Sequence, residues 1–175
     1  MTVEFRTIDE SIEAWEAHRL AFSAFGGDVT QLAQVESYMI RTIVMIVVSE
    51  YEQLIEKMLI KRGARSSDSE IHNYFRGHFD KAFRSPDLGT INKHLKMFSE
   101  SCRNAFSEKV EGSNPQFKAA WDNLLTARHA IVHKKNSGNV NLTWDDLKDC
   151  YSKTKSVIAE LASALGLSLA DMSSL

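Results

Sequence analysis

The sequence predicts an all-α fold, and three observations carry that expectation. Only two Pro and eight Gly are spread over 175 residues, too few turn-formers for a sandwich or barrel of short strands. Residues 31–62 run without either breaker, and apolar residues recur through them at helical spacing. Hydrophobic residues make up 43% and charged residues 25% of the chain, ordinary globular usage with enough apolar surface for a core. A length of 175 residues predicts a single domain spanning the whole chain.

Taken in order, residues 8–25 form a first helix with Ile12, Trp15, Leu20 and Phe22 as core contacts, stopped by Gly26-Gly27. Asp28 or Thr30 caps a second helix from Gln31 to Arg62, about 45 Å long at 1.5 Å per residue. Its apolar stripe includes Val35, Tyr38, Met39, Ile43, Ile46, Val47, Leu54, Ile55, Met58 and Leu59, and it is expected to be the spine of a bundle. Ser67 or Asp68 opens a short helix with Tyr74, Phe75 and Phe79 before the turn Ser85-Pro86-Asp87. A helix from Thr90 to Glu108 follows, then the strong break Glu111-Gly112-Ser113-Asn114-Pro115, with Asn114 capping and Pro115 at the first helical position. Phe117, Trp121, Leu124, Leu125 and Ile131 mark a helix to His133, residues 134–141 a polar loop, and Thr143-Trp144-Asp145-Asp146 a helix start with acids suited to its first turn. The last helix carries Leu147, Tyr151, Val157, Ile158, Leu161 and Leu165, and Gly166 closes it.

Cys102 and Cys150 form neither a disulfide framework nor a C-x-x-C knuckle, and the N-terminus does not read as a signal peptide, so a reducing cytoplasm is the expected compartment. The longest apolar run, Ile43 to Val48, is six residues, short of the roughly 20 a membrane-spanning helix takes, and no membrane partner is expected. A formal net charge of −2 hides an asymmetry: residues 76–142 carry eleven Lys and Arg against six Asp and Glu, leaving −7 to the rest. A basic middle offers a phosphate backbone a local positive surface, although such charges are often only a solvated face.

Chemistry concentrates in Arg128-His129-Ala130-Ile131-Val132-His133, an Arg-x4-His pattern at the end of a helix. Nine Arg and six His yield about 0.3 such patterns by chance, so spacing alone has low specificity. His129 and His133, four residues apart, share a helix face, but no Glu follows His129 and no third ligand is evident, so neither zinc nor another cofactor is expected. Phe75, Phe79, Phe98 and Trp121 are read as core rather than as base-stacking platforms.

The surroundings of this pattern resemble the HEPN superfamily, specifically its RiboL-PSP type. The resemblance rests on a long helix ending in Val-Ser-Glu50-Tyr-Glu52, then Leu124-Leu125-Thr-Ala-Arg128-His129-Ala-Ile-Val-His133, then Leu142-Thr143-Trp144-Asp145-Asp146-Leu147 and a final helix. It covers residues 31–165 in architecture and 121–151 in residue pattern. It implies a four- to five-helix bundle that dimerises through the motif helix and cleaves single-stranded RNA without metal, in RNA processing, stress response or defence. On that reading His133 is the general acid or base, because histidine titrates near neutral pH. Arg128 holds the charge that builds on phosphorus, which suits a permanently charged fork, and His129 supports one of them.

Lys134, Lys135 and Arg103 are the expected RNA contacts, while Glu50 and Glu52 are left outside the site as solvated carboxylates. On an ideal helix Arg128 and His133 stand about 140° apart, so joint action calls for a second copy, and a homodimer is expected. HEPN toxins with nucleotidyltransferase antitoxins have a Tyr two residues after the motif His, where this chain has Lys135. That departure weakens this antitoxin mechanism and leaves open some other partner protein. The alternative function is a non-catalytic HEPN module that binds RNA or nucleotides or scaffolds a partner.

Overall fold

The structure, a computed structural model, describes residues 5–26, 28–79, 86–133, 142–168 and 171. Among them are seven α-helices and no strand: α1 Arg6–Ala24, α2 Val29–Gly63, α3 Ser69–Phe79, α4 Leu88–Phe98, α5 Glu100–Ser107, α6 Pro115–His133 and α7 Trp144–Ala164. A π-helical turn, Glu108–Gly112, follows α5. The all-α expectation holds, and the helix count exceeds four to five because the middle of the chain is cut more finely.

The stretch expected as one helix from Thr90 to Glu108 is two. Ser99 takes extended backbone angles and its hydroxyl accepts from the Cys102 amide at 3.0 Å, so a side-chain cap restarts the helix where continuing was the alternative. The chain then widens through the π turn instead of breaking at Glu111. It breaks at Ser113-Asn114, with Pro115 at the first position of α6 as expected.

The long helix is as anticipated, 35 residues opened by Asp28, whose carboxylate accepts from the Thr30 amide at 2.7 Å. By length and hydropathy it could also cross a bilayer, which the six-residue run did not suggest. Its buried residues Val44, Val47, Tyr51, Ile55 and Met58 nevertheless join the hydrophobic core with residues of α6 and α7, the position of a bundle's spine. Tyr51 ties these three helices together. Its ring stacks on Trp121 of α6 at 5.5 Å and 6°, and its hydroxyl lies 3.0 Å from that of Thr154 in α7. Thr154 gives its own proton to the Tyr151 carbonyl at 3.1 Å, which leaves Tyr51 as donor.

α2 and α7 run parallel, since Thr143 lies by Ile40, Thr154 by Tyr51 and Gly166 by Arg65. The turn before α6 lies beside Glu160 and Ser163 near the end of α7, so α6 runs antiparallel to both. Gly63 ends α2 where α3 folds back so closely that a Cβ would sit 2.7 Å from the Phe75 ring. Gly166 closes the chain after α7 at φ +66.

Trp121 and Leu124 are buried as expected, and Leu125 is partly so. Three expected core residues are not: Leu20, Val35 and Tyr38 are exposed. Amphipathic spacing identified them, but the outer ends of α1 and α2 project past the helices that would cover them.

Candidate functional site

The site is built on the last two turns of α6. Trp121, Leu124 and Ala127 bury one face of this helix, and Trp121 is anchored further by its indole N–H donating to the Pro86 carbonyl at 3.0 Å. Arg128, next after Ala127, lies at the edge of that buried face, whereas His129 and His133 are exposed. The imidazoles sit side by side with centroids 4.4 Å apart at 43°, as four-residue spacing on one helix face dictates.

Arg128 is turned toward α2. Its Nη2 lies 3.6 Å from Oε1 of Glu52, with side-chain exposures of 23% and 17%. At that length the contact is an ion pair rather than a hydrogen bond, and both groups keep part of their access to water. Side chains on each helix lean toward its N-terminus, so in antiparallel helices Arg128 and Glu52 lean toward one another. Glu52 is thus a member of the site that sequence reasoning left out. One signal pointed to it, the acid-bearing end of the long helix, but a pairing between residues 76 positions apart requires knowing which face of α2 meets α6.

The sequence-predicted residues are placed unequally. Arg128, His129 and His133 share the last turns of α6, the two imidazoles side by side and Arg128 turned toward Glu52. Arg103 does not join them: its guanidinium donates to the Asn104 side chain at 2.7 Å and pairs with Glu100 at 3.1 Å. Its neighbour Cys102 lines a cleft with Glu160 and Ser163, which puts Arg103 by the far end of α7. Lys134 and Lys135 lie outside the described residues. Glu50, half-buried, is two residues from Glu52. Several cations of the basic middle are spent on local acids, Lys96 on Glu100 at 2.9 Å and Lys118 on Asp122 at 3.1 Å. Among the described residues no group of three or more His, Cys, Asp or Glu side chains is arranged to hold a metal ion.

Across the loop, α7 starts on a capping box. The Thr143 hydroxyl accepts from the Asp146 amide at 3.1 Å while the Asp146 carboxylate accepts from the Thr143 amide at 3.0 Å. The Thr143 hydroxyl and amide hold the Asp146 carboxyl below the usual range. This pins the return point of the chain after the motif.

Neither a curated protein nor a solved structure matches the chain. The family model RiboL-PSP-HEPN does match, over residues 22–166, which takes in the long helix, the motif helix and the last helix. With an all-α bundle in which the Arg-x4-His segment closes one helix beside the spine, the chain belongs to the RiboL-PSP-HEPN family of the HEPN superfamily.

Proposed function

We propose that this HEPN domain is a metal-independent endoribonuclease that cuts single-stranded RNA at a site completed by a second copy. The observation that carries the reading is the end of α6, where Arg128 keeps partial access to water and two exposed imidazoles of the same last turns lie 4.4 Å apart. General acid–base chemistry at neutral pH uses such imidazoles, and a guanidinium fork matches the oxygens of a phosphate.

In the proposed reaction a histidine takes the proton of a ribose 2′-hydroxyl and the 2′-oxygen attacks phosphorus. The bond to the 5′-oxygen breaks, that oxygen receives a proton from a second imidazole, and a 2′,3′-cyclic phosphate remains. His133 is one of these groups, and Arg128 neutralises the non-bridging oxygens as charge builds. His129 orients His133 from the preceding turn, and Glu52 holds the guanidinium until a phosphate replaces it. Arg128 and His133 point to different sides of α6, so a second motif helix supplies the opposing pair.

The pairing of Arg128 with Glu52 favours a second reading, a module that binds RNA or nucleotides without cutting. One experiment separates them: labelled single-stranded RNA incubated in EDTA with the wild type and with His133→Ala. Cleavage that persists in EDTA, leaves a cyclic phosphate and vanishes in the variant supports the nuclease. Binding without cleavage by the wild type assigns the module.

A further inference from the structure

One face of α3 carries rings and a neighbouring set of cations that the motif does not use. Ile71, Tyr74, Phe75 and His78 recur at the three- and four-residue spacing that puts side chains on one helix face. Phe75 turns inward: its ring stacks on Phe98 of α4 at 4.9 Å and 8°, and a Cβ at Gly63 would stand 2.7 Å from it. Tyr74 stays outside. It is 61% exposed although one side of its ring lies along the His78 imidazole at 5.8 Å and 16°, so the other side of a nearly parallel pair of rings meets water. Ile71, one turn earlier, is exposed as well.

Beside these rings, Arg62 and Arg65 at the end of α2 line an open cleft of about 260 Å³ together with Ile71, Phe75 and Phe98. Arg65 is held in place there. Its Nη1 donates to the Gly166 carbonyl at 2.9 Å, its Nη2 pairs with the Asp171 carboxylate at 3.0 Å, and the side chain keeps 41% exposure. Lys61 stands 3.6 Å from the same carboxylate. Arg62 has no carboxylate partner among the described residues. The end of α2 thus presents more positive charge than Asp171 offsets, with aromatic surface alongside.

We infer that this strip, Arg62, Arg65, Tyr74 and His78, is an anchoring site for single-stranded RNA, separate from the motif. The inference takes from the reading above only that RNA is the ligand. Guanidinium groups suit phosphate oxygens, and an open aromatic face accepts any base. RNA joins an anion to a flat ring at every nucleotide, whereas an acidic protein segment would bring the charge without the ring. Position agrees with composition. Gly63 follows Glu52 by eleven residues, on an α-helix a rise of about 16 Å and a return to within about 20° of the same face. The cleft therefore lies on the side of α2 that meets Arg128, and a strand seated at the motif needs at least about five nucleotides to reach it at a stacked rise of about 3.4 Å each. The strip sets how tightly RNA is held, and the rate at saturating RNA does not depend on it.

The test is fluorescence anisotropy of a labelled single-stranded RNA of about twelve nucleotides, within the usual span of a single-strand site, titrated with the full chain in EDTA. A His133→Ala background keeps cutting from intervening. Tyr74→Ala and Arg62→Ala probe the strip, Tyr74→Phe keeps the ring, and Phe25→Ala, an exposed ring just after α1, is the control. Circular dichroism confirms that each protein is folded. Tyr74→Ala should raise the Kd about tenfold, while Tyr74→Phe and Phe25→Ala leave it unchanged. Arg62→Ala should weaken binding and lower the slope of log Kd against log salt by about 0.7, the worth of one phosphate contact on a single strand. RNA binding indifferent to either Tyr74→Ala or Arg62→Ala, or no RNA binding at all, overturns the inference. So does binding of phosphatidylserine vesicles in place of RNA through these two residues, which would assign the strip to a membrane surface. RNA held through the strip by a wild type that cuts none supports the inference and retires the nuclease reading alone. Cutting by a wild type whose RNA binding ignores the strip overturns only the anchor.

Discussion

Two pairs of histidines meet among the described residues, and their surroundings differ. His129 and His133 share one helix face at 4.4 Å, exposed, at the end of α6. His78 and His94 meet across α3 and α4 at 5.9 Å. His94 packs at 5.1 Å on the buried ring of Phe79, and His78 stacks on Tyr74 at 5.8 Å. Burial, and after it the charges of His78 and Lys93, push the His94 imidazole below its ordinary pKa. The comparison teaches that proximity of two imidazoles says little about function. What separates the pairs is packing: His129 and His133 are both exposed, whereas His94 is half-buried against the buried ring of Phe79.

The largest effect that would break the comparison is on catalysis. His133→Ala should lower RNA cleavage by about 10²–10⁴-fold, the usual worth of general acid–base help. Because His133 is exposed, unfolding by denaturant should shift by no more than about 0.5 kcal/mol. Arg128→Lys keeps the charge and removes the fork, and most activity should go with it. A wild-type rate in either variant would reduce this pair to surface histidines.

The second pair should show the opposite split. Phe79→Ala removes a fully buried ring from beneath His94 and should cost about 3–5 kcal/mol in a urea titration. In the fraction that stays folded, the rate per folded molecule should be unchanged, because α3 and α4 do not carry the motif.

A smaller effect follows from titration. The folded pKa of His94 lies below its value in the unfolded chain, so on acidification the unfolded chain takes up the proton first. Stability should therefore fall as pH drops from about 6.5 toward the folded pKa, and rise again with pH through the same window. Urea midpoints measured across that window should show the slope in the wild type and lose part of it in His94→Gln. An unchanged slope would mean that His94 is no less ready to charge than in the unfolded chain.

The smallest expected effect sharpens the first pair. Partly exposed ion pairs contribute about 0–1 kcal/mol, so Glu52→Gln should change cleavage by about fivefold or less. The change should appear in kcat if Glu52 orients Arg128 for the transition state, and in KM if it only competes with the phosphate.

Much of this was legible along the chain. The breaker-free stretch to Arg62 became α2, the Thr143 to Asp146 start became a capping box, and Pro115 opens the motif helix, because caps and breakers act over three or four residues and are local by nature. The Ser99 restart escaped notice, since a lone serine inside an apolar rhythm is as compatible with a helix interior as with a cap, and neighbouring packing settles which. Leu20, Val35 and Tyr38 have the spacing of core residues, but spacing reports a helix face and not whether another helix lies over it.

The sequence by itself determined the helices, the spine and the grouping of Arg128, His129 and His133 on the last turns of one helix, since each follows from contacts within a few residues. Only the tertiary structure decided that Arg128 faces Glu52, that Arg103 stands at the other end of the bundle and that Leu20, Val35 and Tyr38 are exposed. Those outcomes depend on which faces of antiparallel helices meet and where each helix stops, and side chains far apart in the chain have no local signal for either.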